Sequence, residues 1–233
     1  MRGVTDPKDA ARRAAAAAAL ERIEAGMTIG LGSGRAVWKL LETICERWPE
    51  GVPLRVVPAS SRTEQLARQA GIELLDLDDA GPLDLAIDGA DELDGRLRLI
   101  KGGGGALLRE KLVVAAARRF VVVAETDKLV DRIGEHWRVP VEVVRFGWRT
   151  TLARLLDGVV TAADVRCTDD GTPFITDEGH VIVDCAVPRE GDLGEFAIGL
   201  KAVVGVVEHG LFLGMADEAL LGAPDGTLET IPS

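Results

Sequence analysis

The chain has 233 residues, of which 47% are hydrophobic and 28% are charged, and this length can bury the core of one large or two smaller domains. A formal net charge of −11 leaves no broad basic surface, which argues against nucleic-acid and anionic-membrane binding but allows a local lysine cluster to hold a small anion. The three cysteines are scattered and form no CxxC pair, which is typical of a reducing compartment.

The N-terminal stretch "MRGVTDPKDAARRAAAAAALERIEAG" has alanines where a secretory signal needs a leucine-rich run, so we predict a first helix of a cytoplasmic protein. After it, short apolar runs that end in Gly, Ser or Asp alternate with helical periods, a pattern typical of βαβ units and a parallel sheet. The predicted strands are "MTIGLGSG", "LRVVPAS", "LDLAIDGADE", "RLRLIKGGGG" and "FVVVAETDK". The predicted helices between them are "RAVWKLLETICERW", "SRTEQLARQAG" and "ALLREKLVVAAARR".

From about Val139 the pattern changes to the order β-α-β-β-α-β, with helices near 148–156 and 195–203. This order predicts a small split-βαβ domain. The tail "MADEALLGAPDGTLETI" predicts a short helix and a final strand that returns to the first domain. We therefore expect an α/β protein, with a Rossmann-like parallel-sheet domain formed by residues 1–135 and 208–233 and a smaller ferredoxin-like α+β domain formed by residues 136–207.

Three loops follow predicted strands at the edge where an open α/β sheet binds its ligand: "GLGSGRA", "DGADE" and "KGGGG". In the first, glycines and the amides that begin the next helix favour a phosphate. A dinucleotide is disfavoured because Arg35 stands where G-x-G-x-x-G requires glycine and "VVPASS" offers no acid for a ribose hydroxyl. A tight turn without a ligand stays an alternative. The lysine of "KGGGG" precedes its glycines, so this loop is not a Walker motif.

The "DGADE" loop crowds Asp88, Asp91 and Glu92 at a strand end, where their repulsion needs a cation or hydrogen-bond donors to offset it. This favours a functional pocket, although a solvated acidic turn is the alternative. Glu110 lies nine residues after Lys101, and its own alternative is an ion pair on the helix surface. The four glycines between Lys101 and this helix let the chain fold sharply and gather a lysine, backbone donors and a carboxylate around one small ligand.

Taken together, "GLGSGRA", "DGADE" and "KGGGGALLREK" resemble the A-type ribose-5-phosphate isomerases, and the likeness extends through "AETDK", "VPVEV" and "GLFLGMADEALLGAPDG". The resemblance implies interconversion of ribose 5-phosphate and ribulose 5-phosphate, a step of the non-oxidative pentose phosphate pathway, without a metal or organic cofactor. It also implies a cytoplasmic homodimer or homotetramer in which the small domain contributes the subunit contact.

The resemblance also assigns roles to individual residues. Glu110 matches the general base, and Asp88, Asp91 and Lys101 match the polar groups around the sugar. The substrate-binding residues are expected to be Ser33, Gly34, Arg35, Ala36, Gly89, Ala90, Gly102, Gly103, Gly104 and Lys128. Arg35 and Ala36 depart from the GTGST sequence that the family often has there. Arg12 and Arg13 lie about where the family offers an N-terminal lysine.

These residue types suit the chemistry. One carboxylate, Glu110, can take the C2 proton and return it to C1 by way of a cis-enediolate. Lys101 and the amides of Gly102 to Gly105 can stabilise the negative oxygen that develops, and Asp88 or Asp91 can move protons between sugar oxygens and assist ring opening.

Two rival functions remain. A metal-dependent isomerase needs a cluster of histidine and carboxylate ligands, whereas His136, His180 and His209 are scattered in the second half of the chain. A sugar-phosphate sensor on a similar fold would bind its ligand without turnover. Sensors of this kind usually carry a DNA-binding module, and only about 27 residues precede the first predicted strand.

Overall fold

The fold is that of a computed structural model, which describes residues 7–233. The helices are α1 (Pro7–Leu20), α2 (Arg35–Arg47), α3 (Ser61–Gln69), α4 (Leu77–Ala80), α5 (Leu107–Ala115), α6 (Trp148–Leu156) and α7 (Leu193–Ala202). The strands are β1 (Thr28–Leu31), β2 (Arg55–Pro58), β3 (Glu73–Leu74), β4 (Leu85–Asp88), β5 (Glu92–Leu93), β6 (Leu99–Ile100), β7 (Phe120–Glu125), β8 (Val139–Val143), β9 (Ala163–Val165), β10 (Val181–Cys185), β11 (Val206–His209), β12 (Leu211–Phe212), β13 (Glu218–Gly222) and β14 (Leu228–Pro232).

A seven-stranded sheet in the order β14-β13-β7-β4-β1-β2-β3 forms the first layer of the fold. All of its pairs are parallel except β13 with β14. Strands β1 and β4 are buried along their whole length, as expected for parallel strands with helices on both faces. The predicted Rossmann-like α/β fold is confirmed.

Helix α1 packs against this sheet through an alanine face. Ala11, Ala15, Ala16 and Ala19 are fully buried, and their small side chains allow the helix to approach the strands closely. A Cβ at Gly222 in β13 would lie 1.8 Å from the Ala11 carbonyl oxygen. The alanine run is therefore a packing surface.

The small domain is an antiparallel sheet in the order β11-β8-β10-β9, with α6 and α7 joining its strands. Its separate core includes Val141, Leu155, Val183 and Leu200. The sequential order β-α-β-β-α-β and the antiparallel pairing confirm the predicted split-βαβ arrangement.

The tail was predicted to contain a short helix, and this prediction is wrong. Residues Glu218–Gly222 form β13, which is buried throughout and inserted between β7 and β14. Alanine, glutamate and leucine favour a helix in isolation, but pairing on both sides within the sheet overrides that preference. The final strand was predicted correctly, since β14 joins the large sheet.

A third sheet, which the sequence did not predict, has the order β12-β6-β5. Its strands have two residues each, too few to show an alternating pattern. The sheet positions Lys101 directly after β6, and the Lys101 backbone N–H donates to the Gly210 carbonyl at 2.8 Å. Among residues 7–233, no helix is long and apolar enough to cross a membrane.

Candidate active site

A cleft of about 660 Å³ opens where β1, β4 and β7 end, and the three loops singled out from the sequence meet in it. The predicted residues that line it are Ser33, Gly34, Arg35, Ala36, Gly89, Ala90, Asp91, Lys101, Gly102, Gly103, Gly104, Glu110 and Lys128. Asp88, the remaining predicted residue, is buried and does not line the cleft, but its carboxylate contacts Lys101, Ser33 and Gly89, which do.

Lys101 is the cation at the floor of the cleft. Its Nζ lies 2.8 Å from Asp88 Oδ2 and 3.2 Å from Glu110 Oε2, and it donates a hydrogen bond to the Gly89 carbonyl at 2.7 Å. Burial disfavours the charged amine, but the charges of Asp88 and Glu110 outweigh it and raise the pKa of Lys101 above its ordinary value. The floor therefore holds a permanent positive charge.

Asp88 is held by the ends of two loops. Its Oδ1 accepts hydrogen bonds from the backbone N–H groups of Ser33 at 3.0 Å and Gly89 at 2.7 Å. A Cβ at Gly32 would lie 1.8 Å from the Asp88 carboxyl carbon, which is why glycine is needed in this turn. Burial, together with the nearby charge of Glu110, raises the pKa of Asp88 to about 7.

Glu110 projects from the first turn of α5 into the same cluster and is only 4% exposed. The Ser33 hydroxyl donates to its Oε1. Its Oε2, like Asp88 Oδ2, is in ion-pair contact with Lys101 but accepts no hydrogen bond. Because Glu110 lines the cleft and one of its carboxylate oxygens accepts no hydrogen bond, this carboxylate is placed to receive a proton from a ligand there.

The alternative hypothesis, in which Glu110 forms an ion pair with a nearby residue on the helix surface, does not fit this geometry. Arg109 instead lies 2.5 Å from Glu178, and Lys111 lies 2.9 Å from Glu208. Glu110 therefore faces the cleft while both adjacent charged side chains turn away from it.

The glycine loop is shaped by close contacts. The Gly103 N–H donates to Asp91 Oδ2 at 2.6 Å, and a Cβ at Gly103 would lie 2.5 Å from Asp91 Oδ1. Gly105 has a φ of +88°, and a Cβ there would lie 2.5 Å from Phe174. The Gly105 N–H donates to the Gly102 carbonyl at 3.0 Å. Two of the four amides expected to stabilise the oxyanion thus already have acceptors within the protein.

Asp91 differs from Asp88 because it lines the cleft. Burial raises the pKa of Asp91, and the hydrogen bond from Gly103 opposes that shift. Asp91 therefore combines two roles in the geometry, as the acceptor that shapes the glycine loop and as a carboxyl group on the cleft wall.

Among residues 7–233, five basic side chains besides Lys101 line the cleft: Lys8, Arg12, Arg35, Arg62 and Lys128. Arg12 was expected from the sequence, but Arg13 pairs with Asp9 at 2.8 Å and does not line the cleft. Lys8 was missed, although it precedes Arg12 by four residues and so shares its helix face. Lys8 and Arg12 donate to Asp127 and Glu125 at 2.6 and 2.8 Å.

Arg35 begins α2, and the residue before it, Gly34, has a φ of +92° and provides no side-chain cap. The first amides of a helix carry a partial positive charge and favour an anion. Together with the basic side chains, this helix end makes one part of the cleft suited to a phosphate.

Other lining residues carried no recognisable sequence signal. They are Trp38, Ser60, Val123, Trp137, Phe174 and Asp177. Phe174 and Asp177 come from the hairpin that precedes β10 in the small domain, and the Asp177 carboxylate accepts a hydrogen bond from the Ser61 N–H at 2.9 Å. Their place in the cleft depends on how the two sheets pack, which no local motif reveals.

No group of three or more His, Cys, Asp and Glu side chains within residues 7–233 is arranged to hold a metal ion. His209 is almost fully buried, and burial, together with the charge of Lys111, lowers its pKa to about 4. His209 is therefore neutral near pH 7, and its ring contacts Lys111 outside the cleft.

Comparison with known proteins gives a consistent result. Residues 55–226 match the family model for ribose 5-phosphate isomerase A (phosphoriboisomerase A). The chain is 47% identical over 225 residues to ribose-5-phosphate isomerase A of Synechococcus sp. (strain JA-3-3Ab), covering 96% of this chain and 97% of that relative. The corresponding protein of Roseiflexus castenholzii is 49% identical over 222 residues, covering 94% of each chain.

Solved structures agree with the sequence matches. The ribose 5-phosphate isomerase of Plasmodium falciparum superposes with a TM-score of 0.90 at 35% identity, covering 97% of this chain and 99% of that one. A D-ribose-5-phosphate isomerase in complex with phospho-erythronic acid also superposes with a TM-score of 0.90, at 32% identity. The match covers 98% of this chain and 100% of that one. The chain belongs to the ribose 5-phosphate isomerase A family.

Proposed function

We propose that this protein interconverts D-ribose 5-phosphate and D-ribulose 5-phosphate through a cis-enediolate, with Glu110 as the general base. The observation that carries the proposal is the Glu110 carboxylate at the floor of the cleft, whose Oε2 lies beside the Lys101 ammonium and accepts no hydrogen bond from residues 7–233. Family membership supports it, since the relatives are named as isomerases of this substrate.

Glu110 removes the proton from C2 of the open-chain aldose and returns it to C1, while the proton of the C2 hydroxyl passes to the oxygen on C1, and the carbonyl thereby moves from C1 to C2. Ser33 holds one carboxylate oxygen by a hydrogen bond and leaves the other, Oε2, for the proton. Because the same carboxylate serves both carbons, the proton needs to travel only between neighbouring positions of the sugar.

Lys101 stabilises the negative charge that develops on the sugar oxygens during this transfer. Its ammonium is buried and fixed by Asp88, Glu110 and the Gly89 carbonyl, so little reorganisation is needed when the charge forms. Asp91 lines the cleft and exchanges protons with the sugar hydroxyls, including the one freed on ring opening. Asp88 acts through Lys101.

The phosphate lies among the basic side chains and the first turn of α2. Ser33, Gly34, Arg35 and Ala36 form this turn, and Lys128, three residues beyond β7, lines the same cleft. Arg35 supplies a guanidinium where the family often has hydroxyls, so a charged contact replaces two neutral ones. The binding of phospho-erythronic acid to a similar structure supports a phosphorylated, sugar-derived ligand.

The decisive experiment compares purified wild-type protein with Glu110→Gln in a coupled assay with ribose 5-phosphate. The glutamine keeps the shape but accepts no proton, so kcat should fall by roughly 100- to 10,000-fold while substrate binding changes little. Glu64→Gln, on the exposed surface of α3, is the matched control and should keep wild-type kcat.

Solvent exchange separates the possible mechanisms. In D₂O the wild-type protein should exchange the C2 hydrogen of its substrate, which an enediolate allows and a hydride shift does not, and Glu110→Gln should lose this exchange. Binding of ribose 5-phosphate by the wild-type protein without turnover would instead indicate the sensor function.

The domain limits and subunit contact are also proposals. We divide the chain into residues 1–135 with 208–233 and residues 136–207, and we expect a cytoplasmic homodimer or homotetramer that needs no cofactor. Phe146, Ile198 and Val204 of the small domain are 94%, 71% and 74% exposed, which supports a subunit contact there. Light scattering on wild-type protein and Phe146→Asp tests it, because a monomer in both would contradict the contact.

A further inference from the structure

Glu92 follows Asp91 directly in the sequence, yet it plays no part in the site described above. It is 1% exposed and does not line the cleft. Its Oε1 accepts hydrogen bonds from the backbone N–H groups of His136 at 2.5 Å and Trp137 at 2.7 Å, and its Oε2 accepts one from Gly134 at 2.7 Å. Charge-assisted bonds of this kind are strong, so one buried carboxylate fixes the whole loop 134–137.

This loop is further restrained at its first residue. Gly134 has a φ of +84°, and a Cβ there would lie 2.4 Å from the Val187 side chain of the small domain. The residue before it, Ile133, is buried in the small-domain core. The backbone of the loop is therefore held from both sides, and the direction in which Trp137 leaves it is set by the fold.

Trp137 brings its ring to the cleft wall. The ring centroid lies 5.4 Å from Lys128 Nζ, and both residues line the cleft. An ammonium over an indole face is attracted by the ring quadrupole. Lys128 has a long flexible side chain at the end of a single 3₁₀ turn, whereas the ring is carried by an anchored loop. The ring therefore restricts where the ammonium can lie.

We propose that Trp137 is a positioning residue that strengthens binding of the phosphorylated substrate. Its ring holds the Lys128 ammonium at the phosphate end of the cleft, and Glu92 holds the ring in place through the loop 134–137. The inference rests on the proposed function, in which Lys128 contacts the phosphate. It assigns Glu92 and Trp137 to substrate affinity and leaves the proton transfer to the buried cluster around Lys101.

The first test asks whether a change at Trp137 affects KM without affecting kcat. Trp137→Leu should raise KM for ribose 5-phosphate by roughly two- to fivefold, the range expected for one partly exposed cation–π contact, and leave kcat unchanged. Trp137→Phe keeps an aromatic face and should give a KM between those of the wild type and Trp137→Leu. Trp148→Leu is the matched control, because the Trp148 ring lies 4.4 Å from the Arg149 guanidinium but outside the cleft. Its KM should equal the wild-type value.

The second test asks whether Trp137 acts through Lys128. In a Lys128→Ala background, Trp137→Leu should produce no further rise in KM, because the ring has no ammonium left to hold. An equal rise in KM in the wild-type and Lys128→Ala backgrounds would overturn the proposal. It would also be overturned if the KM of Trp137→Phe were as high as that of Trp137→Leu.

The third test uses Glu92→Gln and concerns the carboxylate that holds the loop 134–137. The amide oxygen can keep the bonds from His136 and Trp137, but its NH₂ group then faces the Gly134 N–H, so the loop loses one acceptor. KM should rise with kcat unchanged. An active enzyme whose KM is indifferent to Trp137→Leu would refute this inference alone, whereas wild-type protein without isomerase activity would refute the proposed function.

Discussion

The buried carboxyl of Asp88 makes the stability of this protein depend on pH in an unusual direction. Its pKa in the folded chain is about 7, against an ordinary value of 3.8. Between these two pH values, the folded chain holds a proton that the unfolded chain has released. The stability that Asp88 contributes is therefore fully present below about pH 4 and is lost as the pH rises through 7.

The size of this effect follows from the same two values. The separation between 3.8 and about 7 corresponds to a free energy on the order of 4 kcal/mol. Asp88→Asn removes the ionisation and can keep both backbone hydrogen bonds, from Ser33 and Gly89, on its amide oxygen. Relative to this variant, the wild-type protein should become less stable by that amount between pH 4 and pH 8.

The assay is urea unfolding of both proteins at one-unit intervals from pH 4 to pH 8, at one protein concentration so that subunit association contributes equally. Asp170→Asn serves as the control. Hydrogen bonds from Thr168 and Thr172 lower the pKa of Asp170 to about 2. The stability that Asp170 contributes is therefore present from pH 4 to pH 8 and is lost only in stronger acid. A constant difference between wild type and Asp88→Asn across the range would refute the reasoning.

Three further results are expected. Lys128→Ala should raise KM for ribose 5-phosphate by roughly ten- to a hundredfold and hardly change the poor binding of free ribose, because only the former offers a phosphate; equal effects on both sugars would remove Lys128 from this role. Activity should survive exhaustive dialysis against EDTA, and a loss that a divalent ion restores would contradict the cofactor-free mechanism. Gly103→Ala should lower the free energy of unfolding in urea by about 1–3 kcal/mol, since its Cβ would displace Asp91, whereas Gly104→Ala has no atom within 4 Å of its new Cβ and should match the wild type.

Local sequence signals were sufficient for the parallel strands and for the three loops that meet in the cleft. "GLGSGRA" and "DGADE" follow β1 and β4, which are neighbours in the parallel sheet, so their carboxyl ends lie at the same edge. "KGGGG" instead follows β6 of the small third sheet, and its place in the cleft depends on that sheet. The glycine loop leads directly into the helix of Glu110, which favoured a place for this carboxylate beside the loops, whereas its role as general base was implied by the family resemblance.

The features that could not be predicted from the sequence depend on contacts between distant segments. Glu92 was grouped with Asp88 and Asp91 as a crowded acid, but it does not line the cleft, and its carboxylate instead accepts hydrogen bonds from the loop 134–137, more than forty residues further along the chain. Phe174 is about seventy residues from the glycine loop that it contacts. The strand β13 was missed because propensity favoured a helix where burial between two strands decides the structure.

The placement of β13 and of Gly210 has a consequence for synthesis on the ribosome. Lys101 is fixed by a backbone hydrogen bond to Gly210, which is translated more than a hundred residues later, and β7 gains its neighbour β13 later still. At the usual pace of translation, about 5–20 residues per second, a nascent chain exposes the edge of β7 for several seconds before β13 emerges. An unpaired edge of a buried, apolar strand is a site for aggregation, so this interval is when the chain most needs a chaperone. The backbone N–H of Lys101 likewise lacks its native acceptor until Gly210 has been translated.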